Sequence, residues 1–321
     1  MRSRELNLAI YDTDKIRHGY LDLYDPILAP WVDKEIKVLE IGIHKGGSLK
    51  LWRDYFPRGM VVGIDLRLPE GFVPGERIQV FQGSQADTRF LSEVTNKVAP
   101  DGFEIIIDDA SHIGELTKET FWHLFKHHLK PGGLYAIEDW GTGYRDDFPD
   151  GRKFHPKVPI LNRVRSQLPR RLSSKIKVSF PCHSYGMVGF VKELVDEQGA
   201  DSITMQPSME AARASMFQSV HITQGIVFVT KVSPTSLTAS PNPVPCGDRS
   251  GTTRISWNTG NTSIGKVYVS INGGEEVLFA HKRQGSAVAN WIEPGSIYEF
   301  RLYDSDHTRL LDKISVITES E

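Results

Sequence analysis

From residue 36 onward the chain alternates short apolar runs with amphipathic stretches, and this alternation restricts the fold more than any other feature of the sequence. "IKVLEIGI" (36–43), "GMVVGIDL" (59–66), "ERIQVFQG" (76–83), "FEIIIDD" (103–109) and "GGLYAIED" (132–139) read as strands. Between them, "GGSLKLWRDYF" (46–56) places Leu49, Trp52 and Phe56 on one helical face, and residues 87–98 and 115–130 also read as helices. Pro131-Gly132-Gly133 reads as a sharp turn from the last helix into the last strand. Apolar strands alternating with helices form a parallel sheet covered on both faces. Ligands of such sheets bind beyond the carboxyl ends of the strands.

Those ends carry acids. Glu40 closes the first strand and Asp65 the second; Asp108 and Asp109 close the fourth, Glu138 and Asp139 the fifth, and His112 stands just past the fourth. If the strands are neighbours, this many carboxylates repel unless something positive sits among them. Gly42 and the Gly46-Gly47 turn lead into a helix that starts near Ser48, where backbone can approach a ligand. Neither GxGxxG nor GxxxxGK[ST] is present, and a carboxylate at a strand end suits a cation better than a pyrophosphate. Asp65, about 20 residues after the glycines, is placed to bind ribose hydroxyls. Gly83, Ser84 and Gln85 follow the third strand, where an adenine would lie. The plainer alternative is that these are turn residues of any doubly wound sheet, and that Asp108 and Asp109 cap the helix beginning near residue 113.

"VLEIGIHKGGSLKLWRDYFPRGMVVGIDL" resembles motifs one and two of the class I S-adenosylmethionine-dependent methyltransferases. With "DDASH" and "IEDW" added, it resembles the metal-dependent sugar O-methyltransferases of macrolide biosynthesis, the mycinamicin type, and the related cephalosporin hydroxylase or rhamnosyl O-methyltransferase group. "YDTDKIRHGYLDLYDPILAP" (11–30) is similar to the segment that precedes the sheet in that group. The resemblance covers residues 11 to about 145 well and 180–231 loosely. It implies a Rossmann-like fold, S-adenosylmethionine as donor, and Mg²⁺ held by Asp109, Glu138 and Asp139, with His112 as general base. Glu40, Gly42, Ser48, Asp65, Gly83, Ser84, Gln85 and Asp108 fall on the donor side. The residues leave open whether Asp108 or Asp109 meets the metal; the resemblance favours Asp109, three residues before His112. Tyr11, His18 and Tyr20 are candidates for a lid over the donor, and Trp140 and Tyr144 for stacking on a sugar.

Beyond the acids the reading is less specific. Residues 145–180 read as a loop and helix that could wall the substrate, and "SYGMVGFVKEL" (184–194) and "VHITQGIVFVTK" (220–231) read as closing strands. "SPTSLTASPNPVPCG" (233–247) suits a linker running into an edge strand. After it come about seven short alternating runs in roughly 90 residues, the pattern of an immunoglobulin- or fibronectin-like sandwich. Trp257, Tyr268, Trp291, Tyr298 and Phe300 are expected in its core. The expected organisation is therefore an α/β, doubly wound domain over 1–231 and an all-β accessory sandwich over 232–321.

The formal net charge of −2 gives no electrostatic reason to expect nucleic acid. No run approaches a membrane span, and no secretory signal opens the chain. The two cysteines, Cys182 and Cys246, form no CxxC. A cytoplasmic enzyme acting on a small-molecule or glycan acceptor fits, and a homo-oligomer is open to it. The rival readings are a metal-independent methyltransferase, a metal-dependent hydrolase and a non-catalytic interaction protein.

Overall fold

A computed structural model of the 321-residue chain describes residues 1–154, 183–204, 213–245, 250–260 and 264–319. Cys182, Cys246 and most of the stretch expected to wall the substrate lie outside the described residues. The chain divides into two compact units, Met1–Ser215 with Val220–Lys231, and Met216–Ser219 with Val232–Glu321.

The first unit begins with short helices, among them α1 (Asp14–Arg17) and α2 (Tyr20–Leu28). Then come β1 (Lys37–Ile41), α3 (Gly47–Tyr55), β2 (Met60–Asp65), β3 (Ile78–Gln82), α4 (Thr88–Val98), β4 (Phe103–Asp108), α5 (Gly114–His127) and β5 (Leu129–Glu138). A 3-10 turn (Trp140–Tyr144), α6 (Pro149–Lys153), α7 (Gly186–Gln198), α8 (Ala200–Ile203), β6 (Phe217–Ile222) and β7 (Ile226–Lys231) complete the alternating part. The sheet order is β3-β2-β1-β4-β5-β7-β6. Strands β1 to β5 pair in parallel, and β7 lies antiparallel to β5. The order reverses between β1 and β4, which opens a crevice at their carboxyl ends.

Local chemistry accounts for these elements. Ile105, Ile106 and Ile107 of β4 are all fully buried, so both faces of the central strand are covered. Each such side chain stabilises the fold by about 1.5–3 kcal/mol. Asp87 caps α4 by accepting from the Phe90 N–H at 3.0 Å. Two expectations are corrected. Residues 184–194 do not form a strand: Met187, Phe190, Val191 and Leu194 are buried at helical spacing, and the segment is α7. Pro131-Gly132-Gly133 lies inside β5 rather than before it, in an irregular stretch where the pairing shifts between Phe103 and Ile105.

The second unit carries β8 (Ser236–Ser240), β9 (Gly251–Asn258), β10 (Gly265–Ile271), β11 (Val277–Lys282), β12 (Gln284–Ile292), β13 (Tyr298–Tyr303) and β14 (Leu310–Val316). They form two antiparallel sheets, β11-β10-β13-β14 and β12-β9-β8. Side chains from both join one apolar cluster that includes Leu237, Ile255, Trp257, Val267, Ala289 and Phe300. Trp257, Tyr298 and Phe300 are buried in it, and Trp291 packs against it. Tyr268 does not enter this core. Its neighbours Val267 and Val269 point inward, so it faces outward, stacked on His307 at 4.0 Å. Among the described residues no helix is long and apolar enough to cross a membrane.

Candidate active site

The crevice between β1 and β4 continues into a cavity of about 950 Å³. Gly42 sits at its floor with φ +86°, and a Cβ there would lie 2.1 Å from the Asp109 carbonyl oxygen. Only glycine lets the loop after β1 lie this close to the end of β4. Gly47 is in the same position against the N-terminal segment, since its Cβ would meet the Asp12 carbonyl oxygen at 2.0 Å. Asp65 shapes the loop as well as the cavity. Its Oδ2 accepts from the Ile43 N–H at 2.8 Å and the His44 N–H at 3.2 Å, and its Oδ1 accepts from the Arg67 N–H at 3.0 Å. Gln85 is fixed across the crevice, accepting from the Ser111 N–H at 3.1 Å and donating to Thr120 Oγ1 at 3.2 Å.

Gly42, Ser48, Asp65, Gly83, Ser84, Gln85, Asp109 and His112 all line this one cavity. Glu40 and Asp108 do not. Successive side chains of a strand point to opposite faces, so Asp109 faces the cavity while Asp108 turns into the sheet's packing. There Asp108 accepts from the Tyr135 hydroxyl at 3.0 Å, and burial pushes its carboxyl up to about 7. Glu40 is fully buried, accepting from Ser48 Oγ at 2.7 Å and Trp52 Nε1 at 3.2 Å. Asp12, Thr13, Asp14 and Arg17, from the segment before the sheet, form a wall that strand-end reasoning missed.

The acids have a positive partner, and it is a side chain. Lys15, on α1, is 1% exposed, and its ammonium lies 2.6 Å from Asp109 Oδ2, 2.8 Å from Glu138 Oε2 and 3.3 Å from Glu40 Oε1. Burial pulls the ammonium's pKa down, but Asp109, Glu138 and Glu40 together hold it well above its ordinary value. The Tyr24 hydroxyl donates to Glu138 Oε1 at 2.6 Å, so both Glu138 oxygens are engaged. One ammonium among three carboxylates leaves negative charge over. Burial drives the Glu138 carboxyl up to about 8, with Asp109 adding to the rise and Lys15 opposing it.

Asp109 and His112 line the cavity, and Asp139 stands beside them. Each offers one ligand atom, and these atoms lie within 4.8 Å of one another. His112 Nε2 is 3.9 Å from Asp109 Oδ1 and 3.9 Å from Asp139 Oδ2. His112 and Asp139 both hold the left-handed backbone region, at φ +52° and +55°. Neither is glycine, so two costly conformations face each other across the site, as occurs where function demands a geometry. Glu138, expected in the metal set, is placed behind these three and turned to Lys15 and Tyr24.

The aromatic expectations divide. Tyr20 donates to Asp139 Oδ1, with the His18 ring 5.3 Å from its own. Tyr11 is buried and donates to Asp54 Oδ2 at 2.8 Å, which makes it a packing residue rather than a lid. Trp140 donates to the Thr223 carbonyl at 2.9 Å, and Tyr144, 42% exposed, packs its ring against Trp140, Phe154 and His183.

No family model matches the chain. It is 38% identical over 138 residues to mycinamicin VI 2''-O-methyltransferase of Micromonospora griseorubida, over 41% of this chain and 34% of that protein. It is likewise 38% identical over 138 residues to demethylmacrocin O-methyltransferase of Streptomyces fradiae, with 41% and 34% covered. The chain is similar to sugar O-methyltransferases. L-olivosyl-oleandolide 3-O-methyltransferase of Streptomyces antibioticus shares 36% over 166 residues, 48% of this chain and 42% of that protein. The chain thus spans roughly a third of the length of the first two relatives, 34% in each case. Among solved structures, the MycE methyltransferase of the mycinamycin pathway, in complex with Mg and SAH, aligns with a TM-score of 0.49 and 28% identity, covering 65% of this chain and 49% of that one.

Proposed function

We propose that the chain is an S-adenosylmethionine-dependent O-methyltransferase that transfers a methyl group to a sugar hydroxyl of a natural-product glycoside, with Mg²⁺ as cofactor. The observation that carries this reading is that Asp109 and His112, which line the cavity running past Gly42, Asp65 and Gly83–Gln85, converge with Asp139 beside them. The name of L-olivosyl-oleandolide 3-O-methyltransferase, one of the relatives, supports a sugar acceptor.

The residues fit a hard divalent cation, because carboxylate oxygens converge and the negative charge behind them exceeds what Lys15 neutralises. Asp109 and Asp139 would hold it. Bound there, Mg²⁺ would lower the pKa of an acceptor hydroxyl. Glu138, engaged by Lys15 and Tyr24, would support the site from behind rather than by coordination. His112, within reach of both aspartates, is oriented to take the hydroxyl proton, and imidazole suits that task near neutral pH. Asp65 and Gly83–Gln85 would hold the donor, whose sulfonium would supply the methyl group.

A second reading has a specific observation in its favour. Lys15 already places a cation at the acids, so a metal-free transfer could use its charge alone. The organisation we favour is a methyltransferase domain over 1–231 and an immunoglobulin- or fibronectin-like accessory sandwich over 232–321, whose inner cluster of side chains from both sheets supports the sandwich reading.

Calorimetric titration with S-adenosylmethionine, with Mg²⁺ and again in EDTA, tests the donor. Transfer of labelled methyl to mycinamicin VI and demethylmacrocin then tests the acceptor. Donor binding with turnover lost in EDTA supports the full proposal. Turnover unchanged in EDTA selects the metal-free reading, and no donor binding in either buffer removes both.

A further inference from the structure

The Asp150 carboxylate is among neither the cavity-lining residues nor those given a role above, yet it is only 5% exposed. Its Oδ2 accepts from the Gly114 N–H and from the Met187 N–H, each at 2.8 Å. These amides belong to the first turns of α5 and α7, so two helix N-termini meet on one carboxylate. Free N–H groups and positive dipole ends favour a negative charge there. The crossing is tight: a Cβ on Gly114 would lie 2.0 Å from the Gly186 carbonyl carbon, and one on Gly186 would lie 2.4 Å from Asp150 Cγ. The Tyr185 hydroxyl also donates to the Asp150 carbonyl oxygen.

Gly114 is two residues beyond His112, whose own backbone is held at φ +52°. Phe148, two residues before Asp150, packs edge-on against the His112 imidazole, with ring centroids 5.9 Å apart at 67°. The stretch 148–150 therefore grips the His112 turn twice, by a ring on the imidazole and by a carboxylate on the entry of α5. We propose that Asp150, together with Phe148, is a positioning residue for His112, holding Nε2 between Asp109 and Asp139. The inference rests on the base role given to His112.

The test needs no acceptor. Full-length D150A, D150N and F148L are labelled with ¹³Cε1-histidine, the His112 ring resonance is assigned by its loss in H112Q, and donor affinity is measured by calorimetry. D150A is expected to move or broaden the His112 resonance while donor Kd stays within about twofold. D150N, whose amide oxygen can still accept both N–H bonds, is expected to restore it. F148L is expected to move the same resonance by removing a ring. A His112 resonance unchanged in both D150A and F148L overturns the proposal, as does one that moves only in step with a general loss of donor binding. Should D150A fail to fold, an unmoved resonance in F148L overturns it alone. If the wild-type protein binds no donor, the methyltransferase reading falls, and the spectra still decide whether Asp150 positions His112.

Discussion

Replacing Lys15 by Met removes the ammonium and keeps most of the side-chain volume, which makes it the sharpest test of how the acids are held. In the wild-type protein the charge touches Asp109, Glu138 and Glu40 at 2.6, 2.8 and 3.3 Å, with lysine and both glutamates almost fully buried. Breaking a buried ion pair from one side costs about 3–5 kcal/mol, because the partner charges stay behind without compensation. In a unit of this size that corresponds to a fall in Tm of roughly 10 °C. The pH dependence has a definite sign. Burial already holds the Glu138 and Glu40 carboxyls above their ordinary range with Lys15 opposing, and without the ammonium that rise is unopposed, so these two groups stabilise the fold only while protonated. The deficit of K15M should therefore be largest near pH 8 and shrink toward pH 5. Urea unfolding at the two pH values, with and without millimolar Mg²⁺, measures this, and Mg²⁺ should stabilise K15M more than wild type. A variant as stable as wild type at pH 8, or one whose deficit ignores pH, would refute the charge argument.

His112→Ala should lower turnover by about 10²–10⁴-fold with donor affinity retained, as read from steady-state rates and calorimetry; an unchanged rate removes the base role. Asp108→Asn addresses the buried carboxyl whose pKa burial raises to about 7. The raised value means that its stabilising, protonated form is complete below about pH 4 and is lost as pH rises through 7. Wild-type Tm should drop between pH 5 and pH 8.5, and D108N, which keeps an acceptor for Tyr135, should drop less. Parallel melting curves for the two proteins would contradict the assignment.

The parallel strands were legible because each is a short apolar run between glycine-rich or polar turns, as in β4 with its three consecutive buried isoleucines. Residues 184–194 were not, because a short apolar run such as "GMVGFV" fits a buried strand as well as a helix until its packing partners are known. At the site, Gly42, Asp65, Gly83–Gln85, Asp109 and His112 were brought together because a parallel sheet delivers its strand ends to one edge. Strand position did not reveal side-chain direction: Asp108 and Glu40, expected on the donor side, lie outside the cavity lining. Lys15 was illegible for a different reason. It reaches Asp109 across 94 residues of chain from a helix of one turn, and nothing local marks it as their partner. The excess of acid at the strand ends was the available signal; it called for a positive charge without saying which one.

That distinction bears on what Glu138 does. Asp109 uses its two oxygens differently, Oδ2 toward the Lys15 ammonium and Oδ1 toward His112 and, beyond it, Asp139. Two positive places can therefore exist side by side, an inner one filled by lysine and an outer one open to a cation from the cavity. Glu138 belongs to the inner place, since Lys15 and Tyr24 engage both of its oxygens. If so, Glu138→Gln should weaken Mn²⁺ affinity by about tenfold, the range for residues that tune a metal without touching it. Asp139→Asn, which removes a direct oxygen ligand, should cost distinctly more, and Mn²⁺ titration followed by electron paramagnetic resonance compares the two. Equal losses would make Glu138 a ligand. Lys15 would then have to leave the acids when the metal arrives, and the lysine and the cation would be competitors for one position rather than neighbours.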